Sequence, residues 1–131
     1  MRTRLAVVLC VASMAASGRA LAHHSFAAEF DAAKPVKLTG TVTKVEWTNP
    51  HIWFFMDVKE ADGSVTNWGF EMASPNQLLR LGWKRDSMKP GDEVAVEASR
   101  ARDNSAHANA QSVLLTRTNQ KLFSGSAPGQ Q

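Results

Sequence analysis

Cysteine is almost missing from this chain. Its 131 residues hold one, Cys10, and the surroundings of that residue matter more than the thiol. Met1-Arg2-Thr3-Arg4 is a basic start, Leu5 to Ala16 is an apolar run, and Ala20-Leu21-Ala22 is an A-x-A site. Together they read as a secretory signal peptide over residues 1–22, cleaved after Ala22. The competing reading is a retained N-terminal anchor, but the run is shorter than the roughly 20 apolar residues that a membrane span needs. Cys10 follows Leu9 inside the run, which argues against a lipoprotein. With the leader gone, no thiol remains. A disulfide framework is then excluded, and the exported domain must stand on its hydrophobic core.

Other absences narrow the reading further. No second apolar stretch is long enough to cross a membrane, so the mature form is expected to be soluble, periplasmic or secreted. An excess of charge is missing too. Fifteen Lys and Arg face twelve Asp and Glu, and loss of Arg2, Arg4 and Arg19 with the leader makes the two equal. Nucleic acid and anionic membranes both call for a basic footprint, so neither is expected as a partner. Catalytic arrangements are missing as well. Ser25, His24 and Asp31 lie too close in sequence to form a triad, and nothing fixes Glu46 and Glu71 as an acid/base pair. No glycine-rich phosphate loop appears, since Lys89-Pro90-Gly91-Asp92 is turn chemistry. Arg100, Arg102 and Asp103 read as a solvated loop. An enzyme is not expected, and there is no internal repeat.

What is present is β-rich. Residues 23–37 form an arm that packs Phe26 and Phe30, with Pro35 barring a long helix. Residues 38–123 form the domain. Leu38, Gly40 and Val42 alternate with threonines as a half-buried strand. The phase then slips, so that Val45 and Trp47 hold odd positions, and one extra residue near Thr43-Lys44 predicts a β-bulge. Ile52 to Lys59 is a second strand with Ile52, Phe54, Met56 and Val58 on one face and Trp53 and Phe55 on the other. Asp62-Gly63 turns the chain into a third strand, with Trp68, Phe70 and Met72 inward.

Ser74-Pro75-Asn76-Gln77 starts a short helix that Gly82 closes, and Trp83 packs back. Val94, Val96 and Ala98 mark a fourth strand. Arg100 to Gln111 reads as polar loop, and Ser112 to Thr118 as the fifth strand. Residues 124–131 read as a disordered tail. A bulged first strand, a long hairpin and a helix between strands three and four predict a mainly β fold, an OB-like five-stranded Greek-key barrel. A small open sheet with one helix is the alternative.

Two sets of side chains are candidates for function. Cleavage after Ala22 makes His23 the chain terminus, with an α-amine and a ring nitrogen as a chelating pair. Imidazole suits copper, nickel and zinc. His51, stiffened by Pro50, with His24 or His107, would complete a nitrogen site for a divalent metal, copper first. The bland alternative is that His23 and His24 only begin an arm and His51 caps a hairpin.

The second set is aromatic. Trp53 and Phe55, off the main inward face, with Trp47 and Asn49 nearby in sequence, suit a protein or saccharide partner on the face of strands two and three. The alternative is that these rings are core. A copper-dependent oxidative enzyme is a third reading, which requires an open coordination position.

The stretches AHHSFAAEFD, LTGTVTKVEWTNPH, SPNQLLRLGW and MKPGDEVAVEASRARD resemble a family of small exported bacterial proteins catalogued as a domain of unknown function. The resemblance spans His23 to about Phe123. Its motif positions here are His23, His24, Phe26, Trp47, Asn49, Pro50, His51, Gly82, Trp83, Gly91, Asp92, Arg102 and Asp103. It implies export and one compact β domain, and no activity. The glycines, prolines and tryptophans among these positions have fold readings. His23, His24, Asn49 and His51 do not.

Overall fold

The structure, a computed structural model, describes residues 26–125. Residues 1–25, with His23 and His24, and residues 126–131 lie outside the described residues. The elements are α1 (Phe26–Glu29), β1 (Phe30–Glu46), β2 (Trp53–Lys59), β3 (Val65–Glu71), α2 (Pro75–Arg80), β4 (Glu93–Ala101), β5 (His107–Leu115) and β6 (Gln120–Phe123). The strand order is β3-β2-β1-β4-β5-β6, and β3 also pairs with β5. That pairing is parallel and sets Gly69–Glu71 beside His107–Asn109. It closes the first five strands into a barrel, with α2 between β3 and β4, which is the OB-like arrangement. The open-sheet alternative falls.

Alternation decides which side chains fill the barrel. Ile52, Phe54, Met56, Val58, Trp68, Phe70, Met72, Val94, Val96 and Ala98 are all buried. The Phe54 and Phe70 rings stack at 4.9 Å. The register of β1 against β2 shifts between Val42 and Lys44, where the phase slip predicts a bulge. That shift helps a 17-residue strand coil far enough to pair β2 at one end and β4 along the other. A glycine is needed within it, because a Cβ on Gly40 would lie 2.3 Å from the Asp57 carbonyl oxygen.

The short helix follows its sequence signals. Ser74 Oγ accepts from the Gln77 N–H at 3.4 Å, Pro75 opens the helix, and Gly82 takes a φ of 93°. Leu78 and Trp83 are buried in the core cluster. The Trp83 Nε1–H donates to the Phe123 carbonyl at 2.9 Å, which ties the helix exit to β6.

Three boundaries differ from the sequence reading. The first strand starts at Phe30, inside the expected arm. β1 pairs with β2 only from Thr41, so the edge beside Pro35 is open and a residue without an N–H is tolerated there. The expected loop Arg100 to Gln111 is mostly strand: β4 runs to Ala101 and β5 begins at His107. Ala108 and Ala110 face the core at 0% exposure, an alternation too weakly apolar to stand out in the sequence.

At the C-terminal end, β6 is a sixth strand. Ser124, read as the start of a free tail, is buried. Its hydroxyl donates to the Ala110 carbonyl at 2.8 Å.

One exposed carboxylate staples four strands. Glu97 on β4 meets Lys121 of β6 at 2.9 Å, the Ser112 hydroxyl of β5 at 2.9 Å and Lys37 of β1 at 3.2 Å. The Lys121 bond first, then Ser112 and Lys37, lower its carboxyl from 4.5 to about 2. A carboxyl whose folded value lies below its unfolded one stabilises the fold above the unfolded value, and that help fades as pH falls toward the folded one. Glu97→Gln is therefore expected to flatten the acid limb between about pH 4.5 and 2. Melting temperatures across that range, at low salt where surface pairs are least screened, should fall less steeply for the variant than for the wild type.

Candidate metal and ligand site

The site is built by barrel closure. Trp53 at the start of β2 lies opposite Glu71 at the end of β3, and Phe55 lies opposite Gly69. Across the parallel seam, His107 lies beside Gly69 and Asn109 beside Glu71. Side chains alternate along strands. Trp53, Phe55, Glu71, His107 and Asn109 therefore share the outer face, while Phe54, Phe70 and Ala108 fill the core.

The Trp53 and Phe55 rings stack at 6.4 Å, and His107 meets Trp53 edge-on at 6.1 Å. Gly69 lies beneath them. A Cβ there would come within 2.8 Å of the His107 ring and 3.0 Å of Phe55, so the bare strand lets both rings lie close to the backbone.

Polar groups surround these rings. His51 Nδ1 is 2.5 Å from Glu71 Oε1, with the Glu71 side chain 10% exposed and the histidine 46%. His107 Nδ1 is 3.2 Å from Ser105 Oγ. Ser105 also bonds Asp103, and its hydroxyl and N–H hold that carboxyl below its usual value. Asn109 is buried, and its Oδ1 meets no donor among the described residues.

The N-terminal segment packs against the same end. Phe30 is buried and touches the Phe26 ring at 5.8 Å. The Arg102 N–H donates to the Glu29 carbonyl at 2.9 Å, and its Nε donates to the Ala27 carbonyl at 2.6 Å. Its guanidinium also lies 3.8 Å from Asp31. Lys34 Nζ donates to Asn104 Oδ1 at 2.9 Å. Arg102, exposed in the β4–β5 loop where its sequence reading put it, is also a clamp on α1. Between α1, the β4–β5 loop and β2 lies a cleft of about 410 Å³ lined by Phe30, Trp53, Arg102, Asp103, Ser105 and His107.

The structure brings Trp53, Phe55 and His107 together, with His51 reaching the same face through Glu71. Trp47 instead packs against the core, with the Arg85 guanidinium 5.7 Å over its ring. Asn49 is exposed in the β1–β2 connection. Among the described residues, no three His, Cys, Asp or Glu side chains are grouped to hold a metal ion. Sequence reasoning missed Glu71 and Arg102 as site residues. Glu71 looks like any outward strand residue, and the partners of Arg102 lie about 75 positions away.

The family model that matches this chain describes a family of unknown function and covers residues 9–110. The chain belongs to DUF6152. Membership agrees with the resemblance carried by the His-His-Ser-Phe and Trp-Thr-Asn-Pro-His motifs and brings no activity with it. This DUF6152 chain matches no curated protein. Among solved structures it is similar to Rim1, a mitochondrial single-stranded DNA binding protein from S. cerevisiae. The identity is 15% and the TM-score 0.50, over 66% of this chain and 94% of that one. That likeness shows the fold. No helix among the described residues is long and apolar enough to cross a membrane.

The clamp is open to direct test. Arg102→Ala removes a side-chain hydrogen bond to α1 and a loose ion pair, and is expected to cost about 1 kcal/mol. Urea unfolding reads that loss. Limited proteolysis should then cut ahead of Pro35 faster than in the wild type.

Proposed function

We propose that this is an exported, non-enzymatic binding or accessory domain that holds a divalent metal, copper first. In this reading residues 1–22 are removed as a signal peptide, and the mature chain works in the periplasm or outside the cell. The observation that supports it is convergence. Two histidines far apart in sequence, His51 and His107, lie at one end of the barrel. His107 lines the cleft and His51 joins the same outer face. His23 and His24 precede α1 in the sequence and lie outside the described residues.

The His23 amine and ring supply a chelate, His51 the ligand from the body, and His24 or His107 completes the set. Imidazole and amine nitrogens suit copper. Nucleic acid stays outside this reading, because basic and acidic residues are equal in number once the leader is gone.

Calorimetric titration with copper tests it, using protein confirmed by mass to begin at His23. Affinity at least tenfold tighter than that of a His-His-Ser peptide is expected. His51→Ala should lower it, and an extra residue ahead of His23 should abolish the amine chelate. Affinity equal to the peptide's sinks the reading.

A second reading rests on the Trp53–Phe55 stack, half-buried on the outer face beside bare Gly69. It makes that face a docking platform for a protein or a saccharide. If the rings serve binding, Trp53→Ala and Phe55→Ala will hold the melting temperature within about 5 °C of the wild type. A larger fall returns both rings to a packing role.

A further inference from the structure

The cleft between α1, the β4–β5 loop and β2 joins aromatic walls to a few polar groups. Phe30 and Trp53 line its volume of about 410 Å³ together with Asp103, Ser105 and His107. That is the size and make-up of a small-molecule site, where apolar walls hold the body of a ligand and a few convergent polar atoms orient it.

Charge is unbalanced there. Asp103 accepts from the Ser105 N–H at 2.9 Å, and the Ser105 hydroxyl, then its N–H, holds the carboxyl below its usual value. Both donors are neutral, and among the described residues no lysine or arginine forms an ion pair with Asp103. The cations nearby are engaged elsewhere. Arg102 Nε donates to the Ala27 carbonyl at 2.6 Å, and its guanidinium lies 3.8 Å from Asp31. Arg100 Nη2 donates to the Asn104 carbonyl at 2.6 Å, with the guanidinium 5.2 Å over the Trp68 ring. Lys34 Nζ donates to Asn104 Oδ1 at 2.9 Å. An anion in the cleft would meet an ionised carboxylate and an arginine already paired.

His107 adds a second acceptor. An ionised carboxylate only accepts hydrogen bonds, so the single proton of the Ser105 hydroxyl goes to Asp103. Ser105 Oγ then accepts from His107 Nδ1, 3.2 Å away. In the neutral ring this leaves the lone pair on Nε2. The imidazole stands at 83° to the Trp53 ring, with centroids 6.1 Å apart. Aromatic faces attract positive charge, tryptophan most of all.

We propose that this cleft binds a small organic cation, with its positive head on the Asp103–His107 side and its apolar body against Trp53 and Phe30. The proposal does not depend on a metal at His51 or at the chain terminus, because every residue it uses is among the described ones.

Three probes with one ring and different heads test it: benzylamine, benzyl alcohol and benzoate. Each is titrated into the full mature chain and followed by NMR, with EDTA present so that metal binding plays no part. Benzylamine is expected to bind about tenfold more tightly than benzoate, with benzyl alcohol between them and shifts centred on Trp53 and Asp103 to His107. Asp103→Asn keeps an acceptor for the Ser105 N–H and removes the charge. It should leave the melting temperature near the wild type and cut the preference for benzylamine to about threefold or less. Long-range proton–nitrogen NMR of the free protein should show the neutral His107 ring protonated on Nδ1.

Benzoate binding as tightly as benzylamine overturns the proposal. So does a preference unchanged in Asp103→Asn, a His107 ring protonated on Nε2, or benzylamine shifts that miss Trp53 and His107. A blocked lysine that binds more tightly than benzylamine overturns the assignment to a small molecule and makes a partner's side chain the occupant.

Discussion

The parallel pairing of β3 with β5 is the constraint on which the rest depends. Three register pairs, Gly69 with His107, Phe70 with Ala108 and Glu71 with Asn109, close the barrel. The middle pair is core and the outer two face away from it. The same step that seals the hydrophobic interior thus places an exposed histidine, a buried carboxylate and a buried amide along the outer side of one seam. Closure over a long loop costs chain entropy that local contacts cannot recover, so the buried Phe70 and Ala108 carry it. The polar neighbours are held in place by a core they do not belong to. Rigid strands are a good base for a binding group, because their side chains keep fixed directions.

Gly69 shows how tightly that seam is drawn. Its place in a strand would ordinarily weaken the sheet, since glycine packs nothing and loses much backbone freedom on folding. Here the His107 ring takes the space that a Cβ would need. The imidazole, though exposed, thereby lies over the strand and roughly perpendicular to the Trp53 ring, with Ser105 bonded to its Nδ1. The clamp from Arg102 to the carbonyls of α1 then fixes the N-terminal segment over the neighbouring ground. β5 and α1, separate elements, thus border one cleft together with Trp53 at the start of β2.

Much of the fold is legible along the chain because its signals are local. The bulge at Val42–Lys44 follows from a phase slip in alternation, the turn from Asp62-Gly63, and the helix from Ser74, Pro75 and Gly82. The inward set of β2 and β3 follows from apolar period two. What escapes is carried by contacts over long sequence separations or by weakly apolar residues. The start of β5 is hidden because Ala108 and Ala110 alternate with Asn109 and Gln111 in a stretch that reads as polar. The extension of β1 back to Phe30 is hidden by Pro35, which only an open strand edge tolerates. At the site, Trp53, Phe55, His51 and His107 stand out by residue type. Glu71 does not, because its burial comes from the seam.

The likeness to a single-stranded DNA binding protein bears on architecture alone, and the outer face of this barrel explains why function must be argued separately. In OB folds the face of strands two and three is a frequent ligand surface, but a fold hosts many sites and the site decides the chemistry. Here that face is partly taken by the chain itself. His107 leans on Trp53, and Phe30 and Trp53 line one cleft with Arg102. An open stacking platform for successive bases would need exposed rings along a basic groove. What this surface carries is a short aromatic pair, a bare glycine, and a histidine beside a buried carboxylate.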